Sequence, residues 1–427
     1  MKIQKLKGTQ DVLPQESAQR RYIEEVFHEV CRRYAYGEIR IPTFEMTQLF
    51  QRGVGDSSDV VNKEMYSFED RGGRQLSLRP EATSGVVRAY IENGLTSTPA
   101  PQKLYYLISA FRAENVQAGR FREFNQFGVE AFASESPSID LEVISLANTY
   151  FQNLGLKNYR IKLNSIGDPE SRQAYRLALL EFFRPRLDAL CPTCRERLEK
   201  NPLRLLDCKE VSCQGLIAEA PVIDDYLSEA SRAHDAYLRE GLEALGIAYE
   251  HDSRLVRGLD YYTKTVFEFV LDAEIGSQAA TICGGGRYDG LVEQLGGAAV
   301  PGIGFSLGEE RLLMALREEG LLPELNSGVD LFIAAQSDAA RLPVAVLAQR
   351  LRELGLAVEI DLMDRSLKAQ MKYANKSGAR YALVIGDAEL ETESAQLRDL
   401  RSREVEDRFV EISDPAALFE ILSLEIV

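Results

Sequence analysis

Hydrophobic positions in the first two thirds of the chain alternate between the helical period and the period of two that strands show. The run from Glu16 to Tyr34 repeats apolar residues at helical spacing, and two alternating runs flank Asp70-Arg-Gly-Gly, a hairpin signature. Pro42 removes a ladder donor, which assigns its strand to an edge, a bulge or an interface. The pattern predicts helices over 16–34, 86–91 and 141–154 and strands over 39–44, 65–68, 75–79, 159–164 and 265–270.

The pattern after Gly328 is that of a separate α/β unit. Apolar runs at 330–335, 357–361 and 381–386 predict strands, and the segments 340–354 and 366–376 predict the helices between them. Arg365, Lys368, Lys372 and Lys376 share one face of the second helix. This basic stripe is either a solvated face or an RNA contact.

Residues 168–248 are charged, form helices by composition and carry few β signals, which predicts an inserted helical module. Four of the six cysteines lie here, in a C-x2-C-x13-C-x4-C arrangement of Cys191, Cys194, Cys208 and Cys213. This spacing is compatible with tetrahedral zinc ligation, and free thiols are the alternative.

A predicted hairpin over residues 111–130 carries an unusual set of polar side chains. Extended arms would place Arg112 with Glu114 on one side of the first arm, around a loop at 115–119. The same alternation puts five residues on one face of the second arm: Arg120, Arg122, Phe124, Gln126 and Glu130. Such a face suits a ligand with phosphates and amines, and an edge hairpin with a solvated face is the alternative.

Composition limits the class of protein. The 427 residues are 45% hydrophobic and 27% charged, which indicates a globular chain of two to four domains. No apolar run approaches the ~20 residues of a membrane span, and the start lacks a hydrophobic signal core, so we expect a cytoplasmic protein without membrane contact. A net charge of −16 restricts any RNA partner to local basic patches.

Two further stretches carry candidate chemistry. Residues 257–262 combine a guanidinium, a carboxylate and the phenols of Tyr261 and Tyr262, which suits an aromatic ligand. Within residues 282–291, the three consecutive glycines at 284–286 allow the backbone to approach a ligand closely. The glycines of residues 301–316 lack the Gly-x-Gly-x-x-Gly register, which excludes a dinucleotide fold.

These stretches resemble the class II aminoacyl-tRNA synthetases. Phe-Arg-Ala-Glu at 111–114 with residues 119–130 is similar to motif 2, and Glu310-Arg311 is similar to motif 3. The helix and proline-containing strand at the start resemble motif 1, the dimer interface. Residues 257–262 and 282–291 resemble the two histidine-specific signatures of the histidyl-tRNA synthetases.

The resemblance implies an α+β fold and a homodimer. The expected catalytic domain, an antiparallel sheet flanked by helices, covers residues 1–167 and 249–325. The helical insertion at 168–248 meets the tRNA acceptor stem in the family. An α/β anticodon-binding domain is expected over residues 328–427.

The implied activity is ATP-dependent activation of L-histidine and its transfer to tRNA, with Mg²⁺ on the phosphates. Arg112 would hold the α-phosphate and Arg257 would oppose its charge from the other side, as the catalytic pair. The other ATP-binding residues would be Glu114 at the adenine amine and Phe124 and Arg311 on the two faces of the ring.

The histidine side of the implied site draws on four segments. Glu81 and Thr83 would hold the amino group, and Gln126 would seat the substrate. Glu130, Tyr261 and Tyr262 would line the imidazole pocket, with Arg112 and Arg257 at its phosphate end. No metal ligand is assigned among these residues.

The sequence also departs from the family. Ala82 replaces the usual glycine between Glu81 and Thr83, and Asn115 replaces a cation in the loop that meets the tRNA end. Two alternatives follow: a paralog that binds histidine as a regulatory or sensor subunit, and an enzyme that adenylates histidine without charging tRNA. The regulatory relatives typically lack a C-terminal domain and have eroded signatures, whereas this chain keeps both.

Overall fold

The computed structural model describes residues 3–55, 58, 60–259, 261–275, 278–323, 328–401 and 407–426. It forms two compact units, Met1–Leu322 and Pro323–Val427. No helix in the described part of the chain is both long and apolar enough to cross a membrane.

The strands and helices of the first unit alternate irregularly along the chain. The strands are β1 (Gly37–Glu38), β2 (Phe44–Met46), β3 (Ser67–Glu69), β4 (Gln75–Leu78), β5 (Gln102–Phe111), β6 (Glu123–Phe132), β7 (Tyr159–Ser165), β8 (Glu250–His251), β9 (Thr263–Ile275), β10 (Gln278–Arg287) and β11 (Gly302–Gly308). The helices are α1 (Pro14–Arg33), α2 (Thr47–Val54), α3 (Thr83–Glu92), α4 (Pro137–Asn153), α5 (Pro169–Phe183), α6 (Pro192–Lys200), α7 (Val211–Glu219), α8 (Glu229–Ala244), α9 (Leu291–Gln294) and α10 (Glu309–Glu318).

An eight-stranded sheet organises this unit, in the order β1-β5-β6-β11-β10-β9-β7-β8. The six inner strands pair antiparallel, and the two-residue edge strands β1 and β8 pair parallel. Helices α1, α4 and α10 pack on one face, and α3 and α9 pack on the other. The predicted antiparallel sheet flanked by helices is confirmed.

Strand β6 shows how one sequence pattern serves both faces. Phe127, Val129 and Ala131 point into the main hydrophobic core. The alternating residues Gln126 and Glu130 point to the opposite face and are buried there as well. This central strand therefore supports a core on one side and carries polar groups on the other.

Two predicted strands differ from the structure at their ends. The strand expected over 39–44 is irregular up to residue 43, where Pro42 lies, and β2 begins only at Phe44. The hairpin arms expected at 112–114 and 120–122 form a loop, since β5 ends at Phe111 and β6 begins at Glu123. The amide of Ala113 donates to the carbonyl of Glu64, and the amide of Arg122 donates to Gly8, which holds the loop away from a regular ladder.

Residues 168–248, all described, contain helices and turns and no strand. A separate hydrophobic cluster joins α5, α6 and α7, with Leu179, Phe183 and Ile217 among its members. Helix α8 instead places Leu238 and Leu242 in the main core beside α4.

The second unit has a five-stranded mixed sheet in the order β13-β12-β14-β15-β16. The strands are β12 (Leu331–Ala335), β13 (Val358–Ile360), β14 (Tyr381–Ile385), β15 (Ser394–Asp399) and β16 (Arg408–Glu411). The helices are α11 (Arg341–Glu353), α12 (Leu367–Ser377), α13 (Asp387–Thr392) and α14 (Pro415–Ile426). β12 pairs parallel with β13 and β14, which confirms the predicted α/β unit.

Arg287, the last residue of β10, has a structural role. Arg287 is fully buried and pairs with the buried Asp140 of α4, and its Nη1 also donates to Asp289 at 3.1 Å. Burial alone would raise the pKa of Asp140, but the hydrogen bond from His234 and the charge of Arg287 lower it. This network ties the glycine-rich strand to the helical layer.

Candidate active site

A buried carboxyl group lies at the centre of the polar face of the sheet. Glu130 of β6 is 1% exposed and accepts hydrogen bonds from the hydroxyls of Thr83 at 2.8 Å, Tyr106 at 3.3 Å and Tyr288. These donors come from the start of α3, from β5 and from the residue directly after β10. Three separate segments therefore converge on one side chain.

The environment of Glu130 favours its protonated form. Burial raises its pKa to about 8, although the hydrogen bonds from Tyr288 and Thr83 oppose this change. Desolvation disfavours a carboxylate unless a ligand brings a further donor or a positive charge. A ligand with an N–H group can therefore use the carboxyl group of Glu130 as a hydrogen-bond acceptor.

Glycines make the space around Glu130. A Cβ atom on Gly304 would collide with the carboxylate of Glu130 and with the backbone of Val129. A Cβ atom on Gly128 would collide with the hydroxyl of Tyr106. Glycine is therefore required on both β6 and β11 for the carboxyl and its phenol donor to fit between the strands.

The glycines of β10 clear space for the segment at 257–262. A Cβ atom on Gly284 would collide with the guanidinium of Arg257, and one on Gly286 would lie 2.8 Å from the ring of Tyr262. The rings of Tyr261 and Tyr262 are buried, with centroids 4.7 Å apart. The segments at 257–262 and 282–291, which resemble the two histidine-specific signatures, therefore pack against each other.

Arg257 forms an ion pair with Glu268 of β9, which in turn accepts from the hydroxyl of Thr281 at 3.1 Å. Burial alone would lower the pKa of Arg257, but the charge of Glu268 raises it above its ordinary value. Its Nε atom is buried and has no hydrogen-bond partner among the residues that the structure describes. The guanidinium is thus a permanent, oriented cation with unused donor capacity.

Glu81 and Thr83, which are predicted to hold the amino group of the substrate, lie at or just before the start of α3. Glu81 is buried and accepts from the amide of Ser84 at 3.0 Å, so its carboxylate caps the first turn of the helix. Ala82 has φ −98° and ψ −35°, a right-handed conformation that alanine adopts without strain. The departure from glycine therefore leaves this turn intact.

A second group of residues lies at the start of β6. The guanidinium carbon of Arg112 is 5.3 Å from the centroid of the Phe124 ring, and its Nε donates to the carbonyl of Pro80 at 2.9 Å. Glu114 lies 3.7 Å from Arg112 and 3.4 Å from Arg120. Arg112 thus contacts the aromatic ring at the start of this inner strand, and Glu114 links it to Arg120.

Helix α10 places the motif 3 arginine beside this group. Arg311 donates to the carbonyl of Thr281 at 2.9 Å, and a Cβ atom on Gly119 would lie 2.8 Å from its side chain. Glu310 accepts from the amide of Asn125 at 3.0 Å and from Arg20 at 3.1 Å. Glu310 thus fixes the helix to β6 next to Phe124, which sets the position of Arg311.

The residues around Phe124 and those around Glu130 lie at the two ends of one face of β6. Phe124, Gln126 and Glu130 share a face of β6, so their span is about 20 Å at roughly 3.4 Å per residue. The Oε1 atom of Gln126, between the two ends, is buried and finds no hydrogen-bond partner in the described part of the chain. An unpaired buried acceptor of this kind indicates a ligand that donates to it.

The structure brings together most of the residues that the sequence singled out. Thr83 contacts Glu130, Arg112 contacts Phe124 and Glu114, and Tyr261 contacts Tyr262. Arg120 and Arg122 lie in the loop before β6 and not on its face. The carboxylate of the 257–262 segment, Asp260, lies outside the described residues.

Three site residues were not found by sequence reasoning. Tyr106 and Tyr288 donate to Glu130, and Glu268 pairs with Arg257. Tyr288 lies within the second signature, so its position beside three glycines was a usable signal. Tyr106 and Glu268 lie in ordinary strand patterns, and only the strand register reveals them.

An antiparallel sheet that carries segments resembling motifs 1, 2 and 3 defines the catalytic unit of a class II aminoacyl-tRNA synthetase. The model of the family described as histidyl-tRNA synthetase matches residues 8–167 and 209–312, and that of the anticodon binding domain matches residues 330–414. The chain belongs to the histidyl-tRNA synthetase family and, with it, to the enzymes that use ATP.

Individual relatives agree with this assignment. The chain is 53% identical over 398 residues to a histidine-tRNA ligase of Acetivibrio thermocellus, covering 93% of this chain and 95% of the relative. It is 50% identical over 402 residues to one of Geobacillus thermodenitrificans, covering 94% of each. The crystal structure of apo S. aureus histidyl-tRNA synthetase matches with a TM-score of 0.85 and 40% identity, covering 99% of this chain and 100% of that one.

The raised pKa of Glu130 predicts a pH dependence of stability. An exposed glutamate has a pKa of 4.5 and the folded one about 8, so the folded state keeps a proton that the unfolded state loses between these values. Stability therefore falls as pH rises through this window, by roughly 1.4 kcal/mol per unit at most. We expect the melting temperature of the wild type to fall more steeply across it than that of Glu130→Gln.

The matched control is Glu123→Gln, which changes an exposed glutamate at the start of the same strand. Its melting temperature should follow the wild type at every pH. Parallel curves for the wild type and Glu130→Gln would show that Glu130 titrates normally.

Proposed function

We propose that this chain activates L-histidine with ATP and attaches it to tRNA(His). The observation that carries this proposal is the polar face of β6, where an aromatic ring and Arg112 lie at one end and the buried Glu130 at the other. The histidine-tRNA ligases that are about half identical to this chain support the same conclusion.

The chemistry of Glu130 suits the histidine end of the site. An imidazole N–H can donate to this carboxyl, and an amino acid without that donor would leave a buried acceptor unpaired. Such a loss costs about 1–3 kcal/mol per group, which is enough to discriminate between substrates of similar shape. Tyr261 and Tyr262 provide the flat walls, while Glu81 and Thr83 hold the amino group and Gln126 seats the substrate.

The charge and shape of the residues around Phe124 suit the nucleotide end of the site. Phe124 and Arg311 enclose the adenine, and Glu114 accepts from its amine. Arg112 and Arg257 neutralise the α-phosphate from two sides while the histidine carboxylate attacks it and pyrophosphate leaves. Both guanidinia are held by fixed partners, Pro80 and Glu268, so they need little reorientation during the reaction.

We include Mg²⁺ on the phosphates of ATP. Among the described residues of the site, Glu114 and Glu268 already form ion pairs with arginines. This fits Mg²⁺, which binds mainly through substrate phosphates and keeps several waters. The ion would neutralise phosphate charge, and we assign it no protein ligand.

We propose that tRNA contacts involve the second unit and the insertion, with domain limits at 1–167 and 249–325, 168–248 and 328–427. Lys368, Lys372 and Lys376 are exposed on α12. Arg365, the first cation of the stripe, is half-buried and pairs with Asp361 at 3.0 Å. The three lysines offer a local basic surface on a chain of net charge −16.

The direct test is histidine-dependent pyrophosphate exchange measured beside charging of tRNA. The proposed function predicts both activities. Exchange without charging would identify an enzyme that only adenylates histidine, and histidine binding with neither activity would identify the regulatory subunit.

A variant locates the activity in this site. We expect Glu130→Gln to lower kcat/KM for histidine in the exchange reaction by about ten- to a hundredfold, because the imidazole N–H loses the carboxylate that its binding would stabilise. The KM for ATP should stay close to that of the wild type. Unchanged histidine kinetics in Glu130→Gln, or an equal loss in the exposed control Glu123→Gln, would contradict the assignment.

We also propose a homodimer formed around β2 and β3. Phe44, Met46 and Phe68 share one face of the small β2-β4-β3 sheet, and each is about half exposed. A cluster of exposed apolar side chains of this kind indicates a covered surface. These residues follow α1 and the Pro42 segment, which resemble motif 1.

Light scattering after size exclusion tests the dimer. The wild type should have twice the chain mass, and Phe44→Glu with Phe68→Glu should shift it toward the monomer because two charges would be buried. Leu177→Glu on α5 changes an equally exposed leucine and should remain dimeric. A monomeric wild type would contradict the proposal.

A further inference from the structure

Four thiols of the insertion meet at one point. The Sγ atoms of Cys191, Cys194, Cys208 and Cys213 all lie within 4.8 Å of one another. None of these cysteines is in a disulfide, and three of the four are buried. The other two cysteines of the chain, Cys31 and Cys283, belong to the main core.

The distances between the sulfur atoms fit a shared ligand and not a disulfide. Cys191 Sγ and Cys208 Sγ are 3.9 Å apart, whereas a disulfide bond is about 2.0 Å long. Four thiolates around one Zn²⁺ at about 2.3 Å lie about 3.8 Å from each other in a tetrahedron. The observed separation therefore leaves room for one ion at the centre.

The backbone around the sulfur atoms is arranged as in a thiolate site. Cys191 caps the N-terminus of α6, and its Sγ accepts from the amide of Cys194 at 3.4 Å. The Sγ of Cys213, in the first turn of α7, accepts from the amide of Cys191 at 3.3 Å. Amide donors directed at sulfur stabilise the thiolate form that a metal requires.

We propose that Cys191, Cys194, Cys208 and Cys213 bind one Zn²⁺ ion in a structural site. Four thiolates complete the tetrahedron and leave no position for water or substrate, so the ion has no part in catalysis. It joins the start of α6 to the start of α7, beside the hydrophobic cluster of the module.

The ion also stabilises a contact with the candidate active site, an extension that rests on the proposed function. Arg204 lies in the turn at Pro202–Leu205, between the two cysteine pairs, and donates to the carbonyl of Gly258 at 2.5 Å. Gly258 follows Arg257 directly. We infer that Arg204 is a positioning residue, which holds the backbone beside Arg257 when the metal fixes its own turn.

Metal analysis of the purified full-length chain tests the site without any reaction. The proposal predicts about one zinc per chain in the wild type and in Cys31→Ala, and less than about 0.1 in Cys208→Ser with Cys213→Ser. Because that variant can fail to fold, the wild type is also stripped and reloaded with Co²⁺. Four thiolates around Co²⁺ should give the visible absorption of a tetrahedral site and intense thiolate-to-metal charge transfer.

Three results would overturn the metal site. These are a metal-free wild type that shows no cobalt spectrum, a disulfide found by mass spectrometry under native conditions, and stoichiometric iron in place of zinc. Metal content does not depend on histidine or ATP, so failure here leaves the proposed function intact.

The positioning role has its own readout. Arg204→Lys should keep the zinc and raise the KM for histidine more than it changes the melting temperature, and Arg204→Ala should raise it further. Full activity with unchanged KM in both variants would overturn this part.

Discussion

The burial of one carboxyl group in the middle of the sheet constrains much of the surrounding structure. Glu130 can occupy its place only because Gly304 lacks a side chain on the neighbouring strand. It is tolerated there only because Thr83, Tyr106 and Tyr288 donate to it. The residual cost of desolvation is visible in its pKa of about 8. A ligand N–H group would complete the set of donors, which relates the fold to its substrate.

The second constraint is that β6 must serve two purposes at once. One face contributes Phe127 and Val129 to the main core, and the strand is therefore rigid. The other face holds the residues that we assign to adenine, substrate and imidazole along about 20 Å of strand. Glu310 accepts from the amide of Asn125 and from Arg20 of α1, so α10 and the nucleotide end are anchored to the same rigid element.

Charge in the site is arranged before any ligand binds. Arg257 is held by Glu268, and Arg112 is held by the carbonyl of Pro80. Pairing of this kind fixes a guanidinium in place and leaves some of its donors unused, as Arg257 Nε does with respect to the described residues. Preorganised cations suit a reaction in which the nucleophile already exists and phosphate charge must be neutralised.

Local patterns predicted the elements well, and long-range contacts explain what they missed. The helix expected at 141–154 is Pro137–Asn153, and the alternation of Gln126 and Glu130 on one strand face was correct. The ends of the two hairpin arms next to the loop, at 112–114 and 120–122, were wrong because Gly8 and Glu64, distant in sequence, bind the loop backbone. The donors to Glu130 come from different strands, so no short window of sequence contains them.

Calorimetric titration with histidine and its two ring-methylated analogues tests the central claim most directly. Each analogue blocks one imidazole nitrogen and leaves the amino acid otherwise unchanged. If an N–H group of the ring binds Glu130, histidine should bind, and the analogue methylated at that nitrogen should give no heat of binding. Equal affinity for histidine and both analogues would contradict the account.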